Sequence, residues 1–255
     1  MSNELFGLND LVEKLLSEHF KLVNVEGIEE ELLKKEKVEG EMESGIYTKV
    51  LKSECGTLPY IVFSDTIIKN TMRITPATIY SNPALGIPPI SYDSSEMKDT
   101  SLFFIIDLMS LSKDEDYLKK FVMDYFGGDF ENHNKILKQG AMERDKEKWH
   151  KEIASPVCID YKWVYDDAMN ITSLKENVRN AAASYINSWI KMVKEAKPVE
   201  DKGHLQKLIS YGDDIMKKFQ INDKGFKVLK HYYGIDFAER YMQLLFPNVS
   251  ELRVK

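Results

Sequence analysis

Between Gly45 and Asp107 the chain runs through short β-type segments, and on either side of that block its apolar residues recur at helical spacing. The segments IYTKVL, LPYIVF, TMRITPATIY and SLFFIID alternate or cluster β-branched and aromatic residues, and Gly, Pro, Ser and Asn separate them. Such a series of short strands with tight breaks predicts an antiparallel meander. A sheet preceded and followed by helices in one chain of 255 residues must bury both faces, so the pattern predicts an α/β domain with helices on the two sides of a central sheet.

The flanking segments supply those helices. Leu5, Leu8, Leu11, Val12, Leu15, Leu16, Phe20 and Val23 trace one face of an opening helix over 5–23. The charge-rich stretch from Glu26 to Glu43 reads as an exposed helix or loop. After the meander a helix is expected over 113–126, ended by Gly127-Gly128, while 128–154 is polar and undecided. VCIDYKWVY (157–165) returns to strand character after Ser155-Pro156. Ser173 and Glu176 form a capping box for a helix reaching Lys197-Pro198. Three more helices follow, over 205–219, over 224–233 with Gly234 closing it, and from Asp236 to the stop at Pro247. No linker divides the chain, which is expected to form one domain over 1–255.

Composition narrows the function classes. Acidic residues outnumber basic ones 41 to 35, giving a net charge of −6, so no broad cationic field exists for nucleic acid or an anionic membrane. No apolar run approaches membrane-spanning length, and the N-terminus lacks a secretory pattern. Two distant cysteines, Cys55 and Cys158, form neither a CxxC pair nor a disulfide framework, which fits a reducing cytoplasm. There is no GxGxxG, no GxxxxGK[ST] and no GxSxG. The histidines His19, His133, His150, His204 and His231 show no metal-ligand spacing, so no metal is expected and each reads as structural.

Carboxylates are left as candidates for chemistry. Asp93 follows the rigid Pro88-Pro89 pair in a short β-like run, Asp107 ends the most apolar strand, and Asp223 stands at a helix start, where capping is the competing role.

Four blocks, in order, resemble the ferredoxin-dependent bilin reductases, a group related to red chlorophyll catabolite reductase: PPISYD, FFIIDLMSLSKDEDYLKKF, SPVCIDYKW, and INDKGF through YYGIDFAERYMQLLFP, spanning about residues 59–247. The resemblance implies a three-layer α/β/α sandwich with a central antiparallel sheet and an open-chain tetrapyrrole, biliverdin IXα or a close relative, held between the sheet and the C-terminal helices. It implies no bound cofactor: electrons come singly from reduced ferredoxin in a transient encounter, and aspartates protonate bilin radicals. Desolvation favours the protonated form of a buried carboxyl, so such a group can hold a proton near neutral pH. By that resemblance Asp93 and Asp223 are the proton donors; Lys162 falls where relatives usually carry a propionate-pairing arginine, Ser110 helps bind the same group, and Arg73 and Lys69 are candidates for the second propionate. A monomer in the cytoplasm, or in the plastid stroma after loss of a transit peptide, is implied as well.

This chain departs from the pattern in three places. Lys162 cannot form a bidentate fork. No histidine lies between Asp65 and Pro89, which argues against the four-electron mechanism of phycocyanobilin:ferredoxin oxidoreductases. Lys224 stands after Asp223 where a proline is usual. For docking an acidic ferredoxin, either Lys217, Lys218, Lys224, Lys227 and Lys230 or Lys135, Lys138, Arg144, Lys146 and Lys148 would form the basic face, unless these are solvated helix surface. A red chlorophyll catabolite reductase-like enzyme and a non-catalytic bilin carrier are the alternative readings.

Overall fold

The computed structural model describes residues 5–39, 42–69, 71–142 and 147–252. In chain order the elements are α1 (Asn9–Ser17), β1 (Leu22–Asn24), α2 (Glu30–Leu33), β2 (Lys34–Glu39), β3 (Met42–Ser53), β4 (Tyr60–Ile68), β5 (Met72–Ile74), β6 (Ala77–Tyr80), β7 (Ile90–Met97) and β8 (Ser101–Leu108). There follow α3 (Glu115–Leu118), a π-helical turn at Lys119–Met123, α4 (Asp124–Leu137), α5 (Lys148–Ile153), β9 (Ile159–Val164), α6 (Ile171–Glu195), α7 (Lys202–Asn222), α8 (Lys224–Tyr233) and α9 (Ile235–Leu245). The strands pair antiparallel in one sheet along the path β1-β3-β4-β5-β7-β8-β9, with β2 on β3 and β6 between β4 and β7.

Each face of this sheet carries its own apolar layer. On one, Ile61, Phe63, Tyr92, Phe104, Ile106 and Trp163 pack with Val12 and Leu16 of α1, Phe126 of α4, and Val178, Ile186 and Trp189 of α6. On the other, Ile46, Val50, Tyr60, Val62 and Tyr80 pack with Ile215 and Met216 of α7 and Phe237, Tyr241 and Met242 of α9. The α9 contact is also polar: Tyr241 hydroxyl bonds Thr48 at 3.0 Å and Ser64, and Tyr60 donates to the Leu244 carbonyl at 2.8 Å.

The C-terminal helices cover the second face over β3, β4 and β6, and that coverage thins over β7 and β8. There, burial alternates strictly, with Ile90, Tyr92, Ser94 and Glu96 buried and Ser91, Asp93 and Ser95 half-buried between them. In β8 the same alternation leaves Ser101, Phe103, Ile105 and Asp107 half-buried. Side chains on a strand point to opposite faces in turn, so one face of this sheet end is core and the other is partly open.

Several boundaries differ from the sequence expectation, each for a tertiary reason. The opening helix stops at Ser17 because Leu22–Asn24 pairs with β3, with Leu22 opposite Ser53. The charged stretch after Glu26 forms α2 and then strand β2, whose pairing with β3 satisfies its backbone. Gly127-Gly128 does not end a helix: α4 continues to Leu137, held on α6 by the Phe126–Tyr185 ring contact and by Asp129, which accepts from Ser184 and Ser188 at 2.8 and 2.6 Å. The long helix α6 starts at Ile171 under an Asn170 cap rather than at the Ser173 box, and α9 starts at Ile235 rather than under an Asp236 cap. Gly234, at φ +89°, does close α8, a conformation that glycine adopts without strain.

The segment that launches β7 is tied down before it reaches Asp93. Trp189, fully buried, donates its indole N–H to the Pro88 carbonyl at 2.9 Å, and Tyr117 donates to the Gly86 carbonyl at 3.0 Å. Trp189→Ala is expected to lower unfolding free energy by about 3–5 kcal/mol in a urea titration, through the cavity and the unpaired carbonyl.

A second expectation follows from the buried phenols. Burial pushes Tyr80, Tyr92, Tyr117 and Tyr185 well up and Tyr241 to about 12. The folded chain holds these protons where unfolded tyrosines, with pKa near 10, release them. Their contribution to stability is therefore fully present below about pH 10 and is lost as the pH rises toward 12 and beyond. Phenolate absorbance from the buried tyrosines is expected as a step that coincides with loss of circular dichroism, after any from the exposed ones such as Tyr47; ionisation of all thirteen tyrosines in a still-folded chain would contradict it.

Candidate active site

Antiparallel register puts the chemistry of the half-open face in rows. Asp93 lies opposite Ile105 on β8, which lies opposite Asp160 on β9; beside that row, Ser91 faces Asp107, and Ser95 faces Phe103, which faces Lys162. Directly paired residues share a face, so Asp93, Asp107, Asp160 and Lys162 stand on the same side of the sheet. With strands about 4.8 Å apart, two strand spacings, about 10 Å, separate the backbones of Asp93 and Asp160. Asp93 is half-buried, and its Oδ1 is fully enclosed.

Helix α5 closes one end of this face. Its His150 Nδ1 lies 3.8 Å from Asp160 Oδ2, with the two side chains 13% and 1% exposed. The neighbouring Trp149 meets Phe219 of α7 edge-on at 5.4 Å, and Phe219 stacks on Phe246 at 4.9 Å. Glu147, just before α5, pairs with Lys224 at 3.7 Å. These contacts hold the α7–α8 junction against the sheet end, and that junction is Asp223. Asp223 is half-buried, ends α7 and caps α8, accepting from the Gly225 N–H at 2.6 Å through Oδ1. The capping role competing with chemistry at this position is thus present.

The remaining sequence candidates are placed less centrally. Lys162 is exposed, at the rim of the face, and its carbonyl accepts from the Met142 N–H at 2.7 Å. Ser110 is buried, and its hydroxyl donates to the Ser112 carbonyl at 2.7 Å, a turn just past β8. Arg73 lies opposite Glu96 on the buried side of the sheet, away from Asp93. There its guanidinium holds Asp65 with Nε at 2.9 Å from Oδ1 and Nη1 donates to the Leu5 carbonyl at 3.0 Å, so it straps the N-terminal segment down. Lys69 is exposed in the turn after β4 at φ +51°. Of the basic groups considered for docking, Lys217, Lys227 and Lys230 are exposed, whereas Lys218 and Lys224 are ion-paired with Glu152 and Glu147. Lys135, Lys138 and Lys148 are also exposed; Arg144 and Lys146 lie outside the described residues.

Sequence reasoning reads His150 as structural, gives Cys158 no role beyond the absence of a disulfide framework, and does not weigh Asp160. Asp107, His150 and Cys158 bring ligand-type atoms within 4.8 Å of one another, from the end of β8, from α5 and from just before β9. The carboxylate of Asp107 is held by the Leu108 N–H at 2.8 Å and by Ser155, whose N–H and hydroxyl both donate to it. No local spacing announces this cluster.

A family model for ferredoxin-dependent bilin reductases matches residues 13–247. The chain belongs to that family. The crystal structure of phytochromobilin synthase from tomato, in complex with biliverdin, matches this family member with a TM-score of 0.80 at 16% identity, covering 98% of this chain and 86% of that one. At such identity the likeness is one of fold: a large antiparallel sheet with helices. No curated protein matches the sequence. Among the described residues of this bilin reductase family member, no helix is long and apolar enough to cross a membrane.

Ser155 is the joint between β8 and the start of β9, and Ser155→Ala is expected to cost about 1.5–3 kcal/mol, the range for a bond to a charged acceptor. Urea unfolding measures it; an unchanged midpoint would show that the Asp107 carboxylate needs no such support.

Proposed function

We propose that this chain reduces an open-chain tetrapyrrole, biliverdin IXα or a close relative, with electrons delivered singly by reduced ferredoxin and protons delivered by Asp93 and Asp223. The observation that carries the reading is the position of Asp93, in the half-buried row of side chains on the β7–β8 face, with one carboxyl oxygen enclosed. The family match supplies the redox partner and the substrate class, and the tomato relative is a synthase of the same fold solved with biliverdin.

In this reading the sheet is the floor on which a flat conjugated ligand lies, with Phe103 and Ile105 as apolar contact and Asp93 rising between them and Ser91. Each electron added to the bilin raises its basicity, so the step that needs the protein is proton delivery at a defined atom. Asp93 gives a proton from the sheet side. Asp223, on the turn that α5 holds through Glu147 and Lys224, gives one from the helix side. Lys162 at the rim neutralises a propionate as a point charge, without the geometry of a guanidinium fork. Arg73, committed to Asp65 behind the sheet, has no part in it. Ferredoxin docks transiently, and the enzyme acts as a monomer without a resident redox cofactor.

Anaerobic mixing with biliverdin, ferredoxin and a reducing system is expected to give transient radical absorption and a shifted product spectrum. Asp93→Asn is expected to bind the bilin with the wild-type spectral change yet to turn over about 10²-fold more slowly or worse, the weight of a general acid. Turnover at the wild-type rate by both Asp93→Asn and Asp223→Asn would remove the assignment, and an unchanged bilin spectrum with the wild-type chain would remove the reaction.

A further inference from the structure

We infer that Asp107, His150 and Cys158 form a binding site for a zinc-class divalent transition-metal ion. The three ligand atoms lie within 4.8 Å of one another, all on half-buried side chains. A carboxylate oxygen, an imidazole nitrogen and a thiolate sulfur are the three donor types zinc takes, at about 2.0–2.3 Å each, and their mutual spacing is of the order such a centre imposes. The thiol excludes calcium and magnesium, which take oxygen ligands. A thiolate and a carboxylate together balance the charge of a divalent ion.

What separates this cluster from a chance meeting of polar groups is the support behind two of its members. Asp107 is oriented by three donors, the N–H and hydroxyl of Ser155 and the N–H of Leu108. His150 lies beside Asp160, whose side chain is 1% exposed and whose Oδ2 is 3.8 Å from Nδ1, a charge contact just beyond hydrogen-bond length that a small ring rotation on metal binding would close. A carboxylate behind a ligating imidazole fixes the ring and raises its basicity, and its loss weakens metal binding about 10–100-fold. Cys158 is positioned by its own N–H, which bonds the Ser155 carbonyl at 3.2 Å, so Ser155 organises two of the three ligands. Three protein ligands leave a fourth position to water or to a ligand from outside. The site joins the end of β8, the start of β9 and α5, and so locks the helix that closes the half-open face. The inference stands on these contacts and does not depend on the proposed reaction.

The test uses the chelator-treated full-length chain titrated with Co²⁺. The expected result is a thiolate-to-cobalt absorption band in the near ultraviolet that saturates at one equivalent and is displaced by Zn²⁺. Cys158→Ser is expected to abolish the band and Cys55→Ser to leave it; Asp160→Asn is expected to weaken binding about 10–100-fold with the band retained. In the unmodified protein, Zn²⁺ is expected to slow alkylation of Cys158, read by mass spectrometry, while the exposed Cys55 serves as the internal reference. No cobalt–thiolate band in the wild-type chain, a band that follows Cys55, or alkylation of Cys158 at the same rate with and without Zn²⁺ would each overturn the site.

Discussion

The architecture depends on how one sheet with two faces is covered unequally. On the side of α1, α4 and α6, apolar side chains fill the whole width from β4 to β9. On the other side α7 and α9 fill only the part over β3, β4 and β6. Strand alternation then does the rest: the β7 and β8 strands that anchor the core on one face present Ser91, Asp93, Ser95, Phe103, Ile105 and Asp107 on the other. The rigidity of the site comes from the packed layer, and its accessibility from the incomplete one.

Polar groups on the half-open face are organised by contacts that reach across the molecule. Asp107 binds Ser155, Asp160 meets His150, and Trp149 and Glu147 carry α5 to Phe219 and Lys224 on the far helices. Through α5 the sheet residue Asp160 is thus linked to the helix junction that holds Asp223. The family membership and the matched fold place this arrangement among the ferredoxin-dependent bilin reductases.

The sequence was readable where periodicity carried the information. The meander, the return strand around Trp163 and the four C-terminal helices follow from spacing, since an apolar face that must be buried repeats at the period of its element. Asp93, Asp107 and Asp223 stood out together as carboxylates beside apolar or turn segments, and the structure places Asp93 and Asp107 half-buried on one face of β7 and β8. Boundaries failed where the partner lies elsewhere in the chain. Gly127-Gly128 stays helical because α6 holds α4, and the Lys/Glu stretch 34–39 is a strand because β3 offers it a ladder. Arg73 read as a binding residue since nothing local shows which way a strand side chain points; the register with Glu96 turns it to the back.

Local patterning of apolar residues, turns and caps was enough to specify a helix-flanked antiparallel sheet and to leave Asp93, Asp107 and Asp223 as carboxylate candidates, because those features act over a few neighbouring residues; the choice of Asp93 and Asp223 came from the family resemblance. The meeting of Asp107, His150, Cys158 and Asp160, the clamp from α5 to the α7–α8 junction and the removal of Arg73 from the open face were set by strand register and helix packing. Such contacts join residues up to tens of positions apart with no common spacing, and only the folded chain, by burying its apolar layers in one arrangement, fixes which of them touch.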